Sequence, residues 1–595
     1  MSDSEAVPDS YVAVADAPTL REEGRTVTNA EGTPIVVFFH EGEFRAVNNR
    51  CPHMGFPLEE GSVDDGVLTC HWHHARFELS CGDTFDPWAD DVESYPVEII
   101  DGTVYVDPDP QRDEPPTVHW ATRLEDGLEQ NLRLVLAKSA VGLLGAGVAP
   151  VEPFETAVVF GTKYREGGWS SGLTILTALV NRLDDLAGKD RERALYQGLV
   201  QVASDCADQP PKFDQEAFEA TDVPFERLES WFRENIEVRD ADGAERVLRT
   251  AVASDCSPEQ LTELLTVAAT DHRYLDTGHR FDHLNKATEA LDHIGWDHPE
   301  TADVLASLVR GLANAQRSEE LSAWRQPYDL ASRCAESFDR LDEMVAEGAG
   351  SEWTEPDEFT DRLHSEEPEQ VYDTLDEAIR NGASVEQLAR AVAFAAGKRV
   401  AQFSTANEFN DWNTVHHTFT FANAVHRAAQ RAPSTPLYRG VYDAATNVYL
   451  DRFLNTPAAP VPGVDEGADP DEEIRGLLHC FEMEGEVNAA GRYAANFLDA
   501  GGDPARLKAE LGGALLQEDT GFHTFQALEA GLRQFDLRDD PEEQRVLATA
   551  VARYLAAHYP TRREREQTFS IASRLHRGER IHEDGGGAEA AADDD

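Results

Sequence analysis

The stretch CPHMGFPLEEGSVDDGVLTCHWH, residues 51–73, decides how the N-terminal part of this 595-residue chain folds. Cys51 and His53 form a C-x-H pair, and Cys70 and His73 form a C-x-x-H pair further along. Thiolates hold ferric iron, and neutral imidazoles remove negative charge from one side of a cluster. The two pairs therefore predict a [2Fe-2S] cluster pinched between two loops, with Cys on one iron and His on the other.

A structural zinc site with two Cys and two His ligands is the alternative, since it also uses paired Cys and His side chains. Zinc sites usually separate the pairs by type, whereas each pair here mixes the two residue types. The mixed pairs favour the iron–sulfur interpretation. His71 and His74 flank His73, and the C-x-x-H register selects His73 as the ligand.

The same stretch resembles the Rieske domain, and the likeness continues beyond the four ligands. Gly55 and Pro57 follow the first pair, while RFEL at 76–79 and CGDTFDPW at 81–88 follow the second. The resemblance covers roughly residues 10–108. It implies a small antiparallel β domain that holds the cluster.

One departure from the family pattern concerns the disulfide of respiratory Rieske proteins, which links an extra Cys in each cluster loop. Phe56 and Trp72 stand at those positions here, so this disulfide cannot form. The resemblance therefore implies the ferredoxin and oxygenase branch. It also implies a reduction potential near the low end of the Rieske range, roughly −150 to +300 mV.

The negative net charge of the chain argues against two classes of binding partner. The formal net charge of −60 comes from 112 acidic and 52 basic residues and is spread along the chain, which we interpret as adaptation to a high-salt cytoplasm. Repulsion argues against nucleic acid or an anionic membrane as partner. Hydrophobic residues make up 41% of the chain, which is enough to form a core.

The expected location is the cytoplasm. The N-terminus, MSDSEAVPDS, lacks the basic and apolar regions of a signal peptide, and the longest apolar run, residues 141–151, is too short to span a bilayer. The Cys residues outside the cluster motif occur singly, which is typical of reduced thiols: Cys81, Cys206, Cys256, Cys334 and Cys480.

Composition predicts a multidomain chain, with a small all-β domain followed by a large all-α domain. Short β-rich runs fill residues 1–108, and a Pro-rich, charged linker follows at 109–118. Residues 119–577 show apolar spacings of three and four, with candidate helices such as 119–146, and no fixed repeat. Residues 578–595 predict a disordered acidic tail.

A second polar constellation lies in the helical region, at residues 271–293. His279 and His283 are four apart and share one helix face, Asp276 precedes them, and Glu289 follows. Two His and a carboxylate form a ligand set for non-haem iron. We expect these residues to bind an additional iron or to act as acid–base groups; the alternative is ordinary packing of buried side chains.

The run H-x3-H-L-x2-A-x-E, from His279 to Glu289, resembles a motif of the questin oxidase-like family. This resemblance implies an all-helical oxygenase that cleaves aromatic-derived rings, with these residues lining a substrate or cofactor pocket. Rieske oxygenases use a D-x2-H-x4-H run instead. The run beginning at Asp276 has one residue fewer between its His, and the β-sheet of their catalytic domain is not predicted here.

Further polar side chains occur on helices that the fold can bring together. The alternative for each of them is a buried side chain satisfied by its neighbours. They are His416, His417, Asn423, His426, His479 with Glu482, and His523 with Glu518.

These patterns favour an oxidoreductase in which the cluster passes single electrons to a site in the helical domain, where a small organic substrate is oxidised or oxygenated. No nucleotide-binding Gly-rich loop is found, so the electron donor is expected to be a separate reductase or ferredoxin. The alternative is a non-catalytic electron carrier or redox sensor whose helical domain is a docking scaffold. A binding scaffold with an incidental cluster is the third hypothesis.

Overall fold

A computed structural model describes residues 7–8, 10–30, 32–111, 114–219, 222–463, 467–579 and 581, and the structural statements below concern those residues. The chain divides into two compact units. The first unit is Met1–Pro153 with Glu566–Asp595, and the second unit is Phe154–Arg565. Most of the predicted acidic tail, residues 580 and 582–595, lies outside the described residues.

The first unit contains three small antiparallel sheets. Their strands are β1 (Val12–Asp16), β2 (Arg25–Ala30), β3 (Thr33–His40), β4 (Glu43–Asn48), β5 (Ser62–Asp64), β6 (Val67–Thr69), β7 (Arg76–Glu78), β8 (Ser94–Tyr95), β9 (Val97–Ile100) and β10 (Thr103–Val106). The sheet orders are β1-β10-β9, β2-β3-β4-β8 and β5-β6-β7. The predicted small β domain at the N-terminus is confirmed.

Strand β3 lies between two apolar cores because its side chains alternate between the faces of the sheet. Ile35 and Val37 belong to one core, while Val36 and Phe38 belong to the other. The second core also contains the two predicted cysteine ligands. The central strand therefore supports the ligand loops directly.

The described residues form 25 α-helices, most of them in the second unit. They are α1 (Ala17–Glu23), α2 (Pro116–Glu129), α3 (Arg133–Gly145), α4 (Val151–Lys163), α5 (Ser171–Val180), α6 (Lys189–Cys206), α7 (Phe225–Glu237), α8 (Ala241–Ala253), α9 (Pro258–Thr270), α10 (His279–Ile294), α11 (Thr301–Ala306), α12 (Val309–Asn314), α13 (Leu330–Phe338), α14 (Leu341–Gly348), α15 (Phe359–Leu363), α16 (Pro368–Arg380), α17 (Val385–Ala401), α18 (Asp411–Arg431), α19 (Tyr438–Leu450), α20 (Pro470–Phe481), α21 (Val487–Asp499), α22 (Pro504–Gln517), α23 (Phe522–Asp536), α24 (Pro541–His558) and α25 (Glu564–His576). The predicted large helical region is thus confirmed. None of the described helices is long and apolar enough to cross a bilayer.

The junction between the β and helical regions differs from the sequence expectation. The predicted helix 119–146 is two helices, α2 and α3, because Asn131 between them adopts a φ of 53°. Asn tolerates this left-handed conformation better than most residues. Helix α2 begins at Pro116, inside the predicted linker, where proline suits the first helical turn. The first unit extends past residue 108 to include both helices.

Candidate metal centres

The first ligand loop, residues 51–57, lies between β4 and β5 and is closed by its own backbone. The Cys51 N–H donates to the Phe56 carbonyl at 2.8 Å, and the Gly55 N–H donates to the Cys51 carbonyl at 2.7 Å. Gly55 has a φ of +80°, a conformation that glycine adopts without strain. The Gly of the sequence motif therefore makes the tight turn that brings Cys51 and His53 to one side.

The second ligand loop, residues 70–75, connects β6 to β7. The Cys70 N–H donates to the Ala75 carbonyl at 2.8 Å, which closes this loop in the same manner. His71 Nε2 lies 3.0 Å from the Ser62 hydroxyl oxygen, so that imidazole is engaged away from His73. The position selected by the C-x-x-H register is the one that meets the first loop.

The two loops bring together all four predicted ligands. The side chains of Cys51 and Cys70 are buried, and their thiol groups are hydrogen-bonded to each other. The rings of His53 and His73 meet edge to face, with centroids 4.8 Å apart. The two loops therefore place two thiols and two imidazoles together at one site.

Two of these side chains are shifted toward the forms that bind metal. The hydrogen bond between the two thiols lowers the pKa of Cys70 to about 6 while it raises the pKa of Cys51, and burial lowers the pKa of His53 to about 4. His53 Nδ1 is buried and has no hydrogen-bond partner among the described residues. Buried polar atoms are usually paired, so this nitrogen indicates a missing partner. Two Cys and two neutral His are the donor set of a mixed-ligand [2Fe-2S] cluster.

Aromatic side chains surround the four ligands. Trp88 packs edge-on against His53 at 4.8 Å, and Trp72 lies against His73 at 4.2 Å. Phe56 and Trp72 face each other from the two loops with ring centroids 5.9 Å apart. An aromatic contact thus stands where the resemblance places the disulfide of the respiratory branch.

Comparison with known proteins identifies this site. Residues 10–96 match the family model of the Rieske [2Fe-2S] domain. The 3-phenylpropionate/cinnamic acid dioxygenase ferredoxin subunit of Photorhabdus laumondii is 38% identical over 79 residues, which are 13% of this chain and 75% of that protein. The chain belongs to the Rieske [2Fe-2S] family. Its Rieske domain implies a [2Fe-2S] cluster and a part in electron transfer.

Other relatives match less than a fifth of the chain. Human apoptosis-inducing factor 3 is 41% identical over 73 residues, and the match spans 12% of each chain. The Escherichia coli K12 counterpart of the ferredoxin subunit is 34% identical over 97 residues, 16% of this chain and 87% of its own. The structure of the ferredoxin of carbazole 1,9a-dioxygenase from Nocardioides aromaticivorans IC177 is 23% identical, covering 17% of this chain and 99% of that one, with a TM-score of 0.16.

The second unit contains a second group of convergent ligands, His279, His417 and His523, which we call the imidazole triad. One ring nitrogen from each lies within 4.8 Å of the others. The Nε2 atoms of His417 and His523 are 2.8 Å apart, and the rings of His279 and His417 are 4.5 Å apart. The three residues come from the first turns of α10 and α23 and from α18.

The imidazole triad is held in the neutral form that binds metal. Burial lowers the pKa of His523 to about 4 and also lowers the pKa values of His279 and His417. Neighbouring imidazoles lower the pKa values of His417 and His523 further, and Arg280 does so for His279. Neutral imidazole suits zinc, copper and iron. Three such nitrogens leave positions for water or substrate, as in catalytic zinc sites with three histidine ligands.

The other residues predicted from the 271–293 stretch lie outside the imidazole triad. The His283 ring is stacked on that of His279 at 6.2 Å, with its Nδ1 buried and unpaired among the described residues. Asp276 forms an ion pair with Arg280, and its other oxygen accepts the Gln316 N–H at 2.6 Å. Local spacing had grouped these side chains, but the left-handed backbone at Asp276 turns it away from the helix face.

Glu289 is part of a buried ion network. Its Oε2 accepts from Lys286 Nζ at 2.8 Å and from the Asn181 amide at 2.8 Å, and Glu529 binds the same ammonium at 2.7 Å. The Lys286 charge and nearby guanidinium groups hold the pKa of Glu289 far below its usual value. Asp282, one helical turn after His279, shows the opposite behaviour, since burial raises its pKa to about 7.

The remaining polar candidates divide between the neighbourhood of the imidazole triad and structural roles elsewhere. His416 lies 5.9 Å from the His523 ring and has both nitrogens unpaired among the described residues. His426 pairs with the Gln534 amide. Sequence reasoning named His417 and His523 but did not join them to His279, because no local spacing connects three separate helices.

Proposed function

We propose that the Rieske domain delivers single electrons to a metal centre at the imidazole triad, where a small organic substrate is oxidised or oxygenated. The observation that carries this proposal is the convergence of three neutral imidazole nitrogens within 4.8 Å, in a chain that also holds a Rieske ligand set. A metal bound by the triad supplies the open coordination positions at which dioxygen chemistry takes place.

The residues of the Rieske domain suit the delivery of electrons. Cys51 and Cys70 are buried, whereas His73 and Trp72 are exposed, with 41% of Trp72 accessible. A donor or acceptor that docks at this edge meets an imidazole ligand directly. Loops closed by backbone hydrogen bonds change their conformation little on electron transfer, and this keeps the reorganisation energy small.

In the second unit, Asp282 fits proton exchange better than Glu289. A group with a pKa near 7 can both give and take a proton at neutral pH. Glu289 is held ionised by Lys286 and keeps no proton to donate. We therefore assign acid–base work to Asp282 and a structural role to Glu289. The His283 ring is stacked on that of His279 with its Nδ1 unpaired among the described residues, and burial lowers its pKa. His283 is therefore available as a further neutral metal ligand and not as a proton acceptor.

The relatives of the Rieske domain indicate what kind of protein supplies electrons to this chain. The matched dioxygenase proteins are ferredoxin subunits. We propose a separate reductase or ferredoxin as electron donor to this chain. We also retain the resemblance to the questin oxidase-like family, which implies an aromatic-derived substrate.

The second candidate is a pure electron carrier or redox sensor with a helical docking scaffold. The match to a dioxygenase ferredoxin subunit, over 75% of that relative, favours this function because ferredoxins carry electrons. A partner captured in only one oxidation state of the cluster would support it.

Metal and sulfide analysis with EPR of the reduced protein separates the two candidates. The first predicts two sulfides and three metal ions per chain, consumption of dioxygen by the reduced protein, and loss of the third metal alone in His523→Ala. Two irons, two sulfides and no dioxygen consumption would contradict it. His479→Ala is the control, since His479 is exposed.

A further inference from the structure

Lys138, on α3, is a cation buried beside the first ligand loop. Its side chain is 5% exposed, and its Nζ donates to the Pro52 carbonyl and, at 2.8 Å, to the Ala89 carbonyl. Pro52 lies between Cys51 and His53, and Ala89 follows Trp88, the indole that packs on His53. One ammonium therefore ties together the two segments that hold His53.

Helix α2 adds a second set of contacts to the same segment. Arg123 donates to the Pro87 carbonyl and lies 3.3 Å from Asp90, while His119 lies 3.2 Å from the same Asp90 carboxylate. Burial lowers the pKa of Lys138, and the buried Asp90 carboxylate is the counter-charge that favours its ammonium form. Arg123 also pairs with Asp126 at 2.7 Å, and His119 lies 3.6 Å from Glu114. Both side chains thus have a further carboxylate, whereas Lys138 has Asp90 and two carbonyl groups.

Both helices lie outside the part of the chain that matches the Rieske domain, which ends at residue 96. A buried charge acts through a low dielectric constant, so it influences a nearby redox centre more strongly than a surface charge does. Net charge and hydrogen bonding around a cluster set its potential. The addition of an electron is favoured by a fixed positive charge.

We propose that Lys138 is a positioning residue for the Rieske cluster: its ammonium fixes the loop around His53 and raises the reduction potential of the cluster. This inference rests on the cluster held by Cys51, His53, Cys70 and His73. It does not depend on the chemistry proposed for the imidazole triad.

The test is the midpoint potential of the full-length holoprotein, measured by a redox titration followed by EPR. Lys138→Met is expected to shift the reduction equilibrium by at least about tenfold toward the oxidised cluster, about 59 mV for one electron. Lys138→Arg keeps the charge and is expected to stay near the wild-type value. Lys138→Gln removes the charge but keeps a hydrogen-bond donor, and is expected to lower the potential as Lys138→Met does. Arg45→Gln, at an exposed pair with Glu43, is the control.

Several results would overturn the proposal. A wild-type potential in Lys138→Met would remove the electrostatic effect, and an equal lowering in the Met and Arg variants would show disturbed packing instead of charge. Where Lys138→Met fails to retain the cluster, Lys138→Gln decides, since a wild-type potential in that variant contradicts the assignment. A wild-type protein without a Rieske EPR signal would refute the cluster and this role together. Absence of dioxygen chemistry would leave the measured potentials, and hence this inference, unaffected.

Discussion

The two candidate centres are built in opposite ways. The Rieske ligands lie within 23 residues, on two loops closed by their own backbone hydrogen bonds. The imidazole triad is assembled from three helices that are far apart in sequence, between residues 279 and 523. A local centre is set by the geometry of its turns, whereas an assembled centre depends on the packing of a whole domain.

The two centres are also expected to differ in how they respond to substitutions elsewhere in the protein. A loop site keeps its ligands when distant packing changes, because Gly55 and the Cys51 and Cys70 amides fix it locally. The imidazole triad depends on the helices around it, including a buried ion network on the same α10 helix. Substitutions in the two centres are therefore expected to differ in what they disturb.

The largest expected effect is the loss of the Rieske cluster in Cys51→Ser. A serine hydroxyl does not replace the thiolate as an iron ligand under physiological conditions, so iron and acid-labile sulfide should fall to background. The Rieske EPR signal should disappear while the metal of the second unit remains. Cys81→Ser is the matched control because Cys81 is exposed and lies outside the ligand set. A normal sulfide content in Cys51→Ser would show that another residue ligates the cluster.

The reciprocal experiment is His417→Ala. Removing one of three ligands should weaken metal binding to the second unit by more than about 100-fold, since even outer partners contribute 10- to 100-fold. The measurement is a metal titration of the demetallated second site, with EPR to verify an intact cluster. Unchanged metal affinity in His417→Ala would exclude the imidazole triad as the metal site. His283 and His416 would then be the next candidate ligands.

How far the sequence predicted each centre follows from this difference. The C-x-H and C-x-x-H pairs located the first centre and its β fold, because turn residues and ligands are adjacent in the chain. In the helical region the sequence found His279, but the spacing rule also grouped Asp276, which the structure pairs with Arg280. His417 and His523 carry no signal of their proximity, because contacts between distant helices depend on tertiary packing. The helix break at Asn131 was missed for a similar reason: asparagine permits the turn without requiring it.

A third prediction tests the dependence of the imidazole triad on its surroundings. Lys286 is fully buried between Glu289 and Glu529. Lys286→Met leaves two buried carboxylates without their ammonium, and breaking a buried ion pair from one side costs about 3–5 kcal/mol. Chemical denaturation of the second unit should show this loss, while the cluster signal in native protein persists. The control is Lys189→Met, at an exposed position, for which we expect less than about 0.5 kcal/mol.

The smallest expected effect concerns pH and the second buried carboxylate of α10. Burial raises the pKa of Asp282 to about 7, with Glu529 and Glu289 opposing its ionisation and Lys286 favouring it. The folded state therefore retains a proton that the unfolded state has lost, so this group makes the protein less stable as pH rises from about 4, with the loss levelling off above about 7. For a folded pKa near 7, linkage gives about 1.4 kcal/mol between pH 6 and pH 8.

Asp282→Asn removes this titration, so the free energy of unfolding should decline less between pH 6 and pH 8 than it does in the wild type. Asp184→Asn, at a fully exposed carboxylate, should retain the wild-type pH dependence. Identical pH profiles for wild type and Asp282→Asn would show that Asp282 is already ionised in the folded protein. It would then be no better suited to proton exchange than Glu289, and the acid–base role that we propose for it would be refuted.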